Sequence, residues 1–367
     1  MVAGAGSSIP GSADPDVLGR VLPLIEARPV AAQICVLHRG RVVLDGAIHC
    51  RPDDLFWIFS ASKPFVALLV HRLAEQGALA LDDHVAQHWP QFARHGKETI
   101  TIRQVLQHRS GLPVARSVVE DVAAMTSWPR SVRHLEQARL RYPPGLVPAY
   151  HYLSYGFILG ELVRRVTGTP VPEVLGAEFL RPLALHDIHL GLPVGLRGRA
   201  VPLQAPGPAG RLTRAVVNRP GTRAAVIPAA GISATADDLA RFYQVLLQGG
   251  GRDGKRILQP ETIRAATRPS SDGEIDRFLG RRIRWSQGFQ LGGPHPGLVP
   301  DRPHSHPMGE RSSPETFGHN GSHACLAWAD PGRQLVMVYL TSLLPAGRER
   351  ARHLSQVSDA VLAAVPA

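Results

Sequence analysis

The chain has 367 residues, 44% hydrophobic and 19% charged, with 41 Lys+Arg against 30 Asp+Glu and a formal net charge of +11. That composition excludes a disordered polymer, and the length allows one large domain or two. The basic excess reads as a solvated, arginine-rich surface. No nucleic-acid motif accompanies it, and aromatic residues, at 6%, are too few for base-stacking platforms.

In chain order, residues 1–13 are rich in Gly, Ser and Ala and read as disordered. Asp14 to Ala27 has helical spacing. Ala31 to Leu37 and Arg41 to Asp45 flank His38-Arg39-Gly40 and read as a hairpin. Ser60 to Gly77 reads as one long apolar helix with Ser60 at its start, and Arg103 to His108 as a short one. A second apolar helix is expected at about Gly156 to Thr167. Residues 192–222 read as a long Pro/Gly/Arg-rich excursion. Thr235 is placed to cap a helix that runs through Leu247. Ala324 to Trp328 and Gln334 to Leu340 form a second hairpin pattern, and Arg348 to Ala364 a terminal helix. Strands lie near both ends and helices between, so the expected fold is one sheet built from both termini, with a helical block inserted.

Three cysteines, Cys35, Cys50 and Cys325, match neither a disulfide framework nor a zinc spacing, and they read as buried thiols. The N-terminus shows neither the basic nor the apolar region of a secretory signal, so a cytoplasmic location is expected. His295, His304, His306, His319 and His323 lie among Pro and Gly without recognised ligand spacing, and no metal is expected.

Lysine usage points to the chemistry. Only Lys63, Lys97 and Lys255 are lysines, leaving 41 − 3 = 38 arginines. Arg keeps its proton in a protein, whereas a desolvated Lys gives it up. In Ser60-Ala61-Ser62-Lys63, between apolar flanks, the amine is placed to take the hydroxyl proton and make the serine a nucleophile. Tyr150-His151-Tyr152 offers a phenol as proton shuttle. Phe317-Gly318-His319-Asn320-Gly321-Ser322 precedes a strand, and the backbone N–H groups of Ser60 and Ser322 are candidates for an oxyanion hole. Each motif alone has an ordinary structural reading: a capped helix, an aromatic cluster, an Asn-Gly turn.

Together, a nucleophile near 60, a Tyr near 150 and His-x-Gly near 320 resemble the serine β-lactamase and penicillin-binding-protein superfamily. Within it, the chain is similar to class C β-lactamases and family VIII esterases. Leu55 to Pro64, Leu73 to Asp83, Ile100 to Pro113 and Gly231 to Ala240 extend the resemblance over about residues 30–343. The resemblance implies an α/β sandwich around an antiparallel sheet, with an all-helical subdomain. It implies one catalytic domain over 14–367, with sheet regions at about 14–65 and 225–367 and a helical region at about 66–224. It implies a serine ester hydrolase acting through an acyl-enzyme, without a cofactor. Ser60 is the nucleophile, Lys63 with Tyr150 the base, and His319, Gly321, Ser322 and Tyr152 the substrate and oxyanion wall. Tyr152 is the alternative catalytic tyrosine.

Three positions depart from the family pattern. Arg109 replaces Thr in the stretch that resembles "HTSGLP". Tyr152 stands where Tyr-x-Asn has Asn, and His319 stands where lactamases carry the Lys of Lys-Thr-Gly. The last two point away from β-lactams and toward neutral esters. Competing readings are an acyltransferase or peptide-cyclising thioesterase of this fold, a β-lactamase or D-alanyl peptidase, and a catalytically silent binding protein. The expected partner is a small ester or acyl substrate, with neither nucleic acid nor membrane.

Overall fold

The computed structural model describes residues 14–293, 306–344 and 349–365. Helix α1 (Pro15–Glu26) starts where the Asp14 carboxylate accepts the N–H groups of Asp16 and Val17. Strands β1 (Ala32–His38) and β2 (Arg41–Ile48) form the first hairpin. Its turn residues Arg39 and Gly40 both have positive φ, the geometry that matches strand twist. The expected helix from Ser60 is split. Phe59–Ser62 is a 3₁₀ turn, and α2 runs only over Lys63–Glu75. The second apolar helix, α3, is Ser154–Thr167. Residues 192–222, expected as an irregular excursion, contain the helix Gly207–Val217 and a short turn of helix at Pro220. The helix α4 (Ala236–Leu247) begins as expected, with Thr235 accepting the Asp238 N–H.

The late strands are β3 (Gln290–Leu291), β4 (Phe317–Gly321), β5 (Cys325–Asp330) and β6 (Leu335–Thr341), followed by α5 (Glu349–Ala364). Asn320-Gly321, readable as a turn, belongs to β4. The turn lies one step on, where Ser322 and His323 have φ of 50° and 59° and the Ala324 N–H donates to Gly321 O.

These strands make one antiparallel sheet in the order β3-β4-β5-β6-β1-β2. Both chain ends therefore meet in the sheet, with Ala32 opposite Thr341 and His38 opposite Leu335. Strand parity divides the core. Ile34, Val36, Leu326, Trp328, Met337 and Tyr339 face α1 and α5. Cys35, Leu37, Ala327, Val336, Val338 and Leu340 belong to the larger core, which also holds residues of α2, α3 and α4. β5 and β6 are buried at every position because helices cover both faces. This is the α/β sandwich with helices inserted between sheet strands. All three cysteines are buried and unpaired. Among the described residues, no helix is long and apolar enough to cross a membrane.

A small sheet fixes the segment that leads into Ser60. Phe56–Trp57 pairs with Ile232–Ala234, which pairs in turn with Ile188–Leu190. Two further bonds lock the same join: Ile58 N–H to Ile232 O, and Ile232 N–H to Ser62 Oγ. Gly156 of α3 lets the 227–231 loop approach closely, since a Cβ there would lie 2.2 Å from Ala229 N. Gly156→Ala is expected to destabilise the fold by about 1–3 kcal/mol through overpacking, read as a lowered denaturation midpoint. An unchanged midpoint would mean that the loop yields freely.

Candidate active site

Ser60 sits in the 3₁₀ turn ahead of α2, three residues before Lys63, so the two side chains share one face. The turn is strained at its first residue, because Phe59 has φ of 48°, a left-handed value that an aromatic side chain rarely adopts. It is held from both sides. Ala61 N–H donates to Ile58 O, and the Cys325 thiol of β5 donates to the same carbonyl at 2.9 Å. Ser60 is half-buried and Lys63 is only 1% exposed.

The surroundings of Lys63 set its chemistry. Its Nζ donates to the carbonyls of Tyr152 (2.9 Å) and Ala229 (3.3 Å) and lies 3.3 Å from Ser60 Oγ. None of these partners is a carboxylate, and burial pushes the amine well below its ordinary pKa. A neutral amine has two N–H donors and one lone pair. The two carbonyls take the donors, which leaves the lone pair for the Ser60 O–H. From the other side the Tyr150 O–H donates to Ser60 Oγ at 2.7 Å. Burial raises the Tyr150 pKa, so the phenol keeps its proton. The serine hydroxyl thus lies between an acceptor and a donor.

The structure brings the hydroxyl of Tyr150, not that of Tyr152, to Ser60. Tyr152 contributes its main-chain carbonyl to Lys63, and its ring packs 6.4 Å from that of Phe278. Tyr150 is held in turn by groups that carry no sequence signal. Asp276 is fully buried, and one of its oxygens accepts both the Tyr150 N–H (2.9 Å) and the Trp285 indole N–H (3.0 Å). The other accepts the N–H groups of Phe278 and Leu279. Trp285 stacks on the Tyr150 ring at 5.3 Å and 12°, and the His108 ring lies 5.0 Å away.

The stretch around Ser110-Gly111-Leu112-Pro113 supports the same segment. Ser110 Oγ meets His151 Nε2, Pro113 O accepts the Tyr152 N–H, and His108 Nδ1 accepts the His151 N–H. Desolvation keeps His151 neutral, with its pKa lowered to about 4, and lowers His108 well below the usual range. Arg109, standing in place of the family Thr, donates to Ser270 O and Leu146 O and pairs with Glu274.

On the third side, β4 delivers His319 and Gly321, and Ser322 follows in the turn at its end. A Cβ at Gly321 would fall 2.0 Å from Ile58 O and 2.4 Å from Cys325 Sγ. Only glycine lets this strand end lie against the nucleophile turn. His319 is 2% exposed, and its Nδ1 pairs with Asn320 O at 2.7 Å, which leaves Nε2 as the acceptor. Desolvation lowers its pKa to about 3, so the ring is uncharged. Among the described residues Nε2 has no partner. His306 is committed elsewhere, to Leu291 O and the Met308 N–H. His295 and His304 lie outside the described residues. Among the described residues no group of three or more His, Cys, Asp or Glu side chains gathers to hold a metal.

Asp276→Asn turns one acceptor oxygen into an NH₂ facing N–H donors, and so releases Tyr150 from its seat. A small misplacement of a reacting group costs on the order of 10²-fold. Covalent capture of Ser60 by a fluorophosphonate is therefore expected to slow roughly ten- to a hundredfold. Unchanged capture by the folded variant would leave Asp276 a purely structural carboxylate.

The fold recurs in known proteins. A structure described as a family VIII carboxylesterase superposes with a TM-score of 0.83 at 26% identity, covering 97% of this chain and 100% of that one. A penicillin-binding protein homologue from Caulobacter crescentus gives 0.81 at 28%, with the same coverage. In sequence, the esterase/beta-lactamase LipL of Mycobacterium tuberculosis is 29% identical over 76% of this chain and 67% of its own length. Esterase EstB of Burkholderia gladioli is 30% identical over 61% and 63%. Residues 24–362 match the Beta-lactamase family. The chain belongs to that family and is a serine hydrolase of the β-lactamase fold.

Proposed function

We propose that the protein hydrolyses carboxylic esters through an acyl-enzyme on Ser60. The observation that carries this is the Ser60 hydroxyl held between the Tyr150 O–H and a buried, charge-depleted Lys63 amine. In acylation, Ser60 Oγ attacks the ester carbonyl and its proton passes to Lys63 Nζ. The oxyanion is held by the Ser60 and Ser322 N–H groups. Tyr150 gives its proton to the leaving alcohol oxygen and recovers one from Lys63, whose Nζ lies over the Tyr150 ring, 4.6 Å from its centroid. In deacylation, water takes the place of the alcohol and the transfers run in reverse. The esterase relatives support the ester reading.

His319 supports a preference among substrates. An uncharged ring stands where lactamases carry a fixed positive charge, and Tyr152 stands where they carry an amide. A β-lactam's carboxylate and amide each lose a partner, at about 1–3 kcal/mol apiece. Cephalosporin hydrolysis is therefore expected to be roughly two to four powers of ten slower than that of p-nitrophenyl acetate or butyrate. Equal efficiencies would remove the preference for neutral esters.

Ser60→Ala is expected to abolish p-nitrophenyl ester turnover in a folded protein. Lys63→Arg is expected to be nearly as damaging as Lys63→Ala, because Arg keeps the charge but cannot act as a base. Near-normal turnover in either Ser60→Ala or Lys63→Arg would overturn the assignment.

Tyr150→Phe is expected to lower turnover by about 10²–10⁴-fold, the usual worth of a proton shuttle. Tyr152→Phe, which keeps the main-chain carbonyl, is expected to have a small effect. The reverse ranking would move the role to Tyr152.

The rate should also follow the amine. Lys63 must be unprotonated to act, so kcat/KM is expected to fall as pH drops through its lowered pKa. His151 and His319, already neutral, are expected to add no limb between about pH 5 and 8. A pH profile that is flat on its acid side would exclude Lys63 as the base.

A further inference from the structure

Phe278 lies at the tip of the hairpin formed by Ile275–Asp276 and Arg281–Arg282, and its ring is 6.4 Å from those of both Tyr150 and Tyr152. The same hairpin leaves Ile275 45% and Leu279 36% exposed. On the segment just before Tyr150, Leu146 is 64% exposed. Scattered exposed apolar residues are ordinary, but these three lie on the two segments that frame one catalytic side chain. The segments are also tied to one another. Arg277 N–H donates to Pro148 O at 2.9 Å, Asp276 accepts the Tyr150 N–H, and Arg109 bridges Leu146 O to Ser270 O and Glu274. The apolar side chains thus sit on a braced frame.

The direction of proton transfer says which part of a substrate this frame meets. The group that protonates the leaving oxygen must stand beside the leaving alcohol. That group is Tyr150, and Phe278 flanks it. We infer that Leu146, Ile275, Phe278 and Leu279 form an apolar rim that receives the alcohol portion of the ester, so that the protein favours esters of hydrophobic alcohols. This rests on the ester reading above. Each methylene of the alcohol buried against the rim strengthens binding by about fourfold.

The test is the initial rate on ethyl, butyl and octyl acetate, followed by acid release, for the wild type and for Leu279→Ser and Ile275→Ser. Both substitutions are at exposed positions and should leave the fold unchanged. In the wild type, kcat/KM is expected to rise with alcohol length. Each variant is expected to lose roughly tenfold on octyl acetate while keeping its rate on ethyl acetate. An unchanged rate on octyl acetate, or an equal loss on ethyl acetate, overturns the inference. So does a variant effect confined to acyl length, seen with p-nitrophenyl octanoate against acetate. If no acetate ester is cleaved, the ester reading has failed, and a second measurement decides the rim alone. 1-Octanol should then protect Ser60 from a fluorophosphonate at lower concentration than ethanol does, and Leu279→Ser should abolish that difference. Absence of the difference in the wild type overturns the rim.

Discussion

The site depends on the desolvation of one amine. Lys63 is buried among Ser60, two backbone carbonyls and an aromatic ring, with no carboxylate to hold its charge. A charge in that setting is costly, so the amine favours its neutral form. Much of the surrounding architecture maintains that condition. The small sheet fixes the turn ahead of α2, Gly156 allows the Ala229 carbonyl to reach the amine, and the 108–113 stretch seats the backbone that supplies the Tyr152 carbonyl.

Tyr150 is the complement of Lys63, and its position is enforced separately. Asp276 comes from a segment 126 residues later in the chain and accepts both the Tyr150 N–H and the indole that stacks on its ring. One carboxylate therefore fixes the phenol through its main chain and through its face. The hydrogen bonds it accepts also shape the hairpin that carries Phe278 and Leu279. The carboxylate that seats Tyr150 and the residues of the proposed rim are in this way parts of one element.

The third wall depends on close approach. Gly321 lets β4 end against Ile58, and the tight turn at Ser322-His323 follows at once. Positive φ values occur here and at Phe59, on both sides of Ser60, and surrounding hydrogen bonds hold both turns. The neutral His319 beside them gives this wall an acceptor where a cation would suit an anionic substrate.

The sequence by itself determined the elements with strong periodicity and the residues whose chemistry is local. The two hairpins, α3 and α4 with its Thr235 cap were legible because period and capping are short-range. That Ser60 and Lys63 lie side by side was legible because their spacing puts them on one face, and the burial of the amine because its flanks are apolar. Tertiary structure decided what depends on packing between distant segments. It broke the expected helix at Ser60 into a 3₁₀ turn, because Ile58 is held by Ile232 and Cys325. It moved the turn from Asn320-Gly321 to Ser322-His323, because β4 extends along β5 until Gly321 meets the nucleophile turn. It brought the hydroxyl of Tyr150, the tyrosine preferred in the sequence, to Ser60 and set the ring of the alternative, Tyr152, beside Phe278. It also produced Asp276, an acidic residue with no motif around it, whose role exists only once residues 150, 276 and 285 are folded against one another.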